Sequence, residues 1–107
     1  MALNMVIHPV AITSNNGADV NGDWIHVGGM SFDVQFHGPA ALHRIEVSAD
    51  KADADIATDA DGAAVTALGA VYREVRERPE WARVVILNDA GGPRIFTAEL
   101  MIHKEDF

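Results

Sequence analysis

The chain is expected to fold as an all-β antiparallel sandwich, Ig-like or jelly-roll-like, with roughly seven to eight short strands. Three observations carry this expectation. Apolar and polar residues alternate along Met30–Phe36 and again along Leu42–Ser48, the period of a half-buried strand. Two β-branched-rich runs, Trp81–Leu87 and Arg94–Ile102, flank a stretch made almost wholly of turn formers. Turn signals recur about every 8 to 12 residues, with no repeat or linker to divide the chain.

Leu3 to Ile12 mixes apolar residues with His8 and Pro9. Pro9 cannot donate to a ladder, so residues 1–14 read as an edge strand or an extended arm, beside a single sandwich domain over 15–107. Ser14–Asp19 and Asn21–Asp23 are turn chemistry. Trp24–Val27 reads as a short strand ended by Gly28 and Gly29. In the next strand Phe32, Val34 and Phe36 face inward while Ser31, Asp33 and Gln35 face out, and Gly38-Pro39 closes it. Leu42–Ser48 repeats the pattern, with Ile45 and Val47 inward and Arg44, Glu46 and Ser48 outward.

Asp50 to Gly62 carries Asp50, Asp53, Asp55, Asp59 and Asp61 against Lys51, so an exposed loop is expected, with a short strand around Ile56. Ala63–Arg78 admits two readings. Val65, Leu68, Tyr72 and Val75 are spaced as one helix face, with Pro79 as its stop. Gly69 in mid-segment costs that helix about 1 kcal/mol. As a strand, Ala70–Val75 places Val71, Arg73 and Val75 on one side. The β-rich flanks favour the strand; one short helix near 63–78 is the competing element.

Asn88–Pro93 between two strand-like runs predicts an antiparallel hairpin. Val84 and Ile86 point one way, Val85 and Leu87 the other, so the first strand has two apolar faces and should be central. Arg94, Phe96, Ala98, Leu100 and Ile102 share one face of the return strand.

A length of 107 residues is one domain, which buries roughly 65% of its unfolded surface and leaves little for a deep cleft. Hydrophobic residues at 49% and charged residues at 22% make an ordinary globular mixture. No apolar run is long enough to span a membrane, and the N-terminus lacks the basic and apolar regions of a secretory signal. Without cysteine there is neither a disulfide nor a thiolate metal site, which suits synthesis in a reducing cytosol. A net charge of −8 repels a phosphate backbone, so direct nucleic-acid binding is not expected; a basic protein surface would be complementary.

The candidate chemistry is sparse. His8, His26, His37, His43 and His103 fall in no metal-ligand spacing, and surface positions are the expectation for them. His43 and Glu46, three apart on a strand, point to opposite faces. Asp59-Ala-Asp61-Gly62 is part of a calcium-loop pattern, but Ala57 and Leu68 stand where its end ligands belong, and a solvated acidic loop is expected. Ser31, Asp33 and His37 share an exposed face without a nucleophile elbow or oxyanion hole. Phe32, Phe36 and Phe96 belong to inward faces. Trp24 and Trp81 each adjoin a turn and are core edges or exposed platforms. Arg73, Arg76, Arg78 and Arg83 alternate with Glu74, Glu77 and Glu80 as a mixed charged surface.

The order Asn21–Val27, Phe32–Phe36, Gly38, Ile45–Asp50, an acidic turn, Gly69–Tyr72 and Trp81–Ile86 resembles small β-sandwich proteins of tailed bacteriophages. These sit on the virion as head-decoration, vertex or tail accessory subunits. The resemblance covers residues 20 to 102 and departs from the pattern at Arg73–Arg83. It implies a non-enzymatic structural protein of the virion, made in the host cytoplasm. It also implies binding to capsid or tail proteins in multiple copies or as a homo-oligomer, with no cofactor and no membrane contact. The alternative is a recognition module for glycan or a host surface, with Trp24 and Trp81 as its contacts.

Overall fold

The computed structural model describes residues 3–39 and 42–105. Met1, Ala2, Ala40, Ala41, Asp106 and Phe107 lie outside the described residues. Ten strands follow in chain order: β1 (Leu3–Thr13), β2 (Val20–Asn21), β3 (Ile25–His26), β4 (Ser31–Gly38), β5 (Leu42–Ser48), β6 (Asp55–Ile56), β7 (Thr66–Leu68), β8 (Val71–Val75), β9 (Trp81–Ile86) and β10 (Ile95–Glu105). They form two antiparallel sheets. The first has the order β1-β10-β4-β8; the second has β2-β9-β5-β6, with β3 also on β9 and β7 also on β5. The fold is the expected all-β sandwich.

The period-2 patterns place the core where alternation requires. Phe32, Val34 and Phe36 of β4 and Phe96, Ala98, Leu100 and Ile102 of β10 line the inner face of the first sheet. Ile45 and Val47 of β5 and Ala82, Val84 and Ile86 of β9 face them from the second sheet. β9 is central, between β5 and the short β2 and β3, and Val85 is buried on its outer side as the two apolar faces require. Gly22 continues the β2 pairing by donating its N–H to the Val84 carbonyl at 2.7 Å. A Cβ there would lie 2.7 Å from Ile12 Cδ1 and 2.8 Å from the Val84 carbonyl, so only glycine fits the approach.

Several expectations are corrected. Residues 63–78 hold β7 and β8, and no helix occurs among the described residues, so the short helix is replaced by strands. Val71 and Val75 satisfy the inner face of an edge strand, and Gly69 takes φ +104°, a turn value between two strands that a helix interior does not allow. Among the described residues the strands number ten, because β2 lies in a stretch read as turns and β7 precedes the strand expected at Ala70–Val75, while the short strands expected at Trp24–Val27 and around Ile56 are β3 and β6. The hairpin is overturned as well. β9 belongs to the second sheet and β10 to the first, so Asn88–Arg94 is an arch between layers. Val84 and Ile86 of β9 therefore share the core with Phe96 and Ala98 of β10 instead of pairing with them in one sheet. Of the two readings of the N-terminal segment, the edge strand is the one observed, as part of the sandwich: β1 pairs with β10 along its whole length, from Leu3 opposite Glu105 to Thr13 opposite Ile95. His43, expected at the surface, is buried on the inner side of β5, its ring edge-on to Phe36 at 4.4 Å and to Phe96 at 5.4 Å.

Candidate interaction surfaces

The outer face of the second sheet collects the residues singled out for partner or glycan contact. Pairing puts His26 and Ser48 opposite Trp81, and Glu46 opposite Arg83. Trp24, two residues before His26, falls on the same face beside Arg83, whose guanidinium lies 4.2 Å from the Trp24 ring centroid. Trp81 meets Lys51 Nζ at 4.1 Å and the His26 ring at 4.8 Å. Both tryptophans are half-buried, each with a cation over its ring. The two residues expected to make contacts thus share one face, each ring already carrying a cation of this chain.

At the centre of this face stands Glu46, which is buried. Arg44 donates Nε and Nη2 to Oε2 at 3.0 and 2.7 Å, and Arg83 donates the same pair of atoms to Oε1 at 3.1 and 2.8 Å. Burial pushes the Glu46 carboxyl up, but the bonds from Arg83 and Arg44 outweigh it and hold the group below its ordinary value. This network was readable from Arg44-Ile-Glu46, since residues two apart on a strand share a face. Its tryptophan–arginine composition is that of protein contact hot spots.

A second surface is the rim of the first sheet formed by β1. The ladder to β10 is unbroken, and Ser14 continues it by donating its N–H to the Arg94 carbonyl at 2.8 Å. Alternation then directs the N–H groups of Ile12, Val10, His8 and Val6 toward β10. Pro9, having no N–H, occupies one of the positions that face the open rim, as do Met5, Ile7 and Ala11. Met5, Val6 and Ile7 are 51, 39 and 51% exposed, a run of apolar side chains on both faces of the strand. Further along, a cleft of about 430 Å³ opens between residues 8–13 of β1 and residues 20–25 of the second sheet.

The other rims are blunted. β2, β3 and β6 have two residues each and β7 has three, while the five-residue β8 carries Arg73 and Glu74. Short strands and charges are the usual means of keeping sheet edges from pairing. β1 is eleven residues long and contains no Asp, Glu, Lys or Arg. Pro9 is its one edge-blunting residue, leaving the stretch before it open.

Other polar residues singled out in the sequence are engaged locally. On the outer face of the first sheet, Asp33 Oδ2 accepts from the Tyr72 hydroxyl at 2.5 Å and lies 2.7 Å from His103 Nε2. His37 Nε2 lies 2.7 Å from Glu99. Asp33 and His37 thus take partners on neighbouring strands. In the acidic loop, Asp50 accepts the N–H groups of Ala52 and Asp53, and Asp59 accepts those of Asp61 and Ala63. Among the described residues no group of three or more histidines and carboxylates is arranged to hold a metal ion.

Compared with family models, curated proteins and solved structures, the chain matches none.

Proposed function

We propose that the chain is a non-enzymatic structural subunit that binds a repeating protein lattice in many copies, as capsid or tail accessory subunits of tailed bacteriophages do. What supports the reading is the rim of β1, where Met5, Val6 and Ile7 remain exposed on a strand without charges. Such a rim is a template for strand addition, in which main-chain bonds supply affinity and alternate side chains supply specificity. Many weak contacts of this kind hold a subunit to a lattice by multivalency. The Trp24–Arg83–Glu46–Arg44 face offers a second contact of hot-spot composition.

The test is co-sedimentation with capsids and tails assembled from the products of the genes beside its own. Ile7→Lys is expected to release the chain into the supernatant; binding to neither particle would end the proposal. Glycan recognition remains the second reading, resting on Trp24 and Trp81. It asks for open ring faces, and here Arg83 stacks on one ring and Lys51 on the other.

A further inference from the structure

We infer that β1 pairs antiparallel with β1 of a second copy, about a two-fold axis centred within Met5–Ile7, joining two four-stranded sheets into one. The inference rests on the proposed function's account of this rim and names its occupant as a second copy, so the unit presented to the lattice is the dimer, with the Trp24–Arg83 face of each copy free for the lattice contact. A two-fold contact needs a patch complementary to itself. An antiparallel strand edge meets that need by geometry, because each outward N–H faces an outward C=O of its mate.

The absence of charge makes this rim a place where two like copies can meet. Two chains of net charge −8 repel each other over most of their surfaces. Leu3–Thr13 has no charged residue, and Glu99, opposite Pro9 on β10, is engaged by His37. Contact along β1 from Met5 to Thr13 therefore brings together no charged side chain of the strand itself, and the one carboxylate opposite this stretch, Glu99, already has a partner. Pro9 sets the limit of the run: pairing is strongest on its N-terminal side, where Met5 and Ile7 present both a donor and an acceptor. The pairing would cover Met5 and Ile7 on one face of the sheet and Val6 on the other, the exposed apolar run described above.

The chain has no cysteine, so a single introduced thiol reports one position. Met5→Cys, Val6→Cys and Ile7→Cys are made one at a time and oxidised. In a two-fold antiparallel pairing one of the three faces its own copy, with Cα atoms about 4.5–5.5 Å apart and within disulfide reach. The others are displaced along the strand by two residues or more, about 7 Å or beyond, and out of reach. The expected result is one rapidly cross-linking position, with a concentration-dependent monomer–dimer equilibrium of the unmodified chain in sedimentation. Ile7→Lys should raise the dimer Kd at least about tenfold, with thermal melting to show that it folds. A monomer at every concentration up to about 1 mM, or equal cross-linking at all three positions, would overturn the inference. A chain that dimerises but binds no lattice sinks only the functional reading; one that binds a lattice while staying monomeric sinks only the dimer.

Discussion

Asp89 and Arg94 clamp the arch between the two sheets through two hydrogen bonds, Nη2 to Oδ1 at 2.6 Å and Nε to Oδ2 at 3.0 Å. Asp89 is buried and also accepts the Ser14 hydroxyl at 2.8 Å and the Gly91 N–H at 3.0 Å. The Ser14 oxygen in turn accepts the Arg94 N–H at 2.9 Å, so one carboxylate ties the arch to the end of β1.

Removing that carboxylate strands four donors at once, two of them on Arg94. Ser14→Ala removes one hydroxyl and is expected to cost about 1 kcal/mol in urea denaturation. Asp89→Ala should cost clearly more, and the double variant should cost less than the sum, because the two side chains share a bond. Strict additivity would break the account.

Acid should weaken the fold through its bonded carboxylates. Arg94 first, then Ser14 and Gly91, hold the Asp89 carboxyl well below the usual range against the opposing effect of burial. Burial raises Glu77 and Glu46, but bonds from Thr58 and from the two arginines outweigh it and leave both lowered. A lowered folded pKa gives stability that is complete above the unfolded value, about 3.9 for Asp and 4.3 for Glu, and is lost as pH falls toward the folded value. The urea midpoint of Asp89→Asn should accordingly fall less steeply below about pH 4.5 than that of the parent chain. Parallel acid limbs would remove Asp89 from the explanation.

Tyr72 is the one tyrosine, so its ionisation can be followed by ultraviolet absorbance without interference from another. Its bond to Asp33, reinforced by burial and by the charges of Asp33 and Glu74, pushes the phenol up to about 12. The stability this group contributes is present below about pH 10 and is lost as pH rises through the folded value. Asp33→Asn should return the midpoint toward about 10. An unchanged midpoint would mean that the bond does not form in solution.

Proline reads the direction of each N–H along β1. Ile7→Pro removes a donor that faces the open rim and should cost less than about 1 kcal/mol. His8→Pro removes a donor to β10 and should cost about 2–3 kcal/mol. Equal costs would show that the ladder alternates differently from the arrangement described.

Alternation alone was enough to place Phe32, Val34 and Phe36 in the core and Arg44, Glu46 and Ser48 on the opposite face of their sheet, because a strand leaves no other face for them; the burial of Glu46 and Ser48 there was not legible. The two apolar sides of β9 likewise foretold a central strand. The partner of β9 was not legible. A turn-rich connection between two strands serves a hairpin and an arch equally well, and the Asp89–Arg94 clamp that bridges the arch is made of residues that look like turn and surface residues in the sequence. The histidines were misjudged at His43 for a related reason. Its position inward on β5 followed from the pattern, but the Phe36 and Phe96 rings that receive it come from distant segments. At the candidate surfaces, Trp24 and Trp81 could be named in advance, whereas the openness of the β1 rim depends on every other edge being short or charged.

Because β10 lies between β1 and β4, the first sheet has no sequential core to grow from: Leu3 faces Glu105 and Ser31 faces His103. During synthesis β1 must wait, apolar side chains in water, until the stretch around residue 100 has left the ribosome, and before then β4 has only the edge strand β8 to pair with. Loops of this length close slowly, and refolding in the millisecond-to-second range is the corresponding expectation. Until then the nascent chain depends on its acidic charge, and on whatever chaperone is at hand, to stay apart from its neighbours.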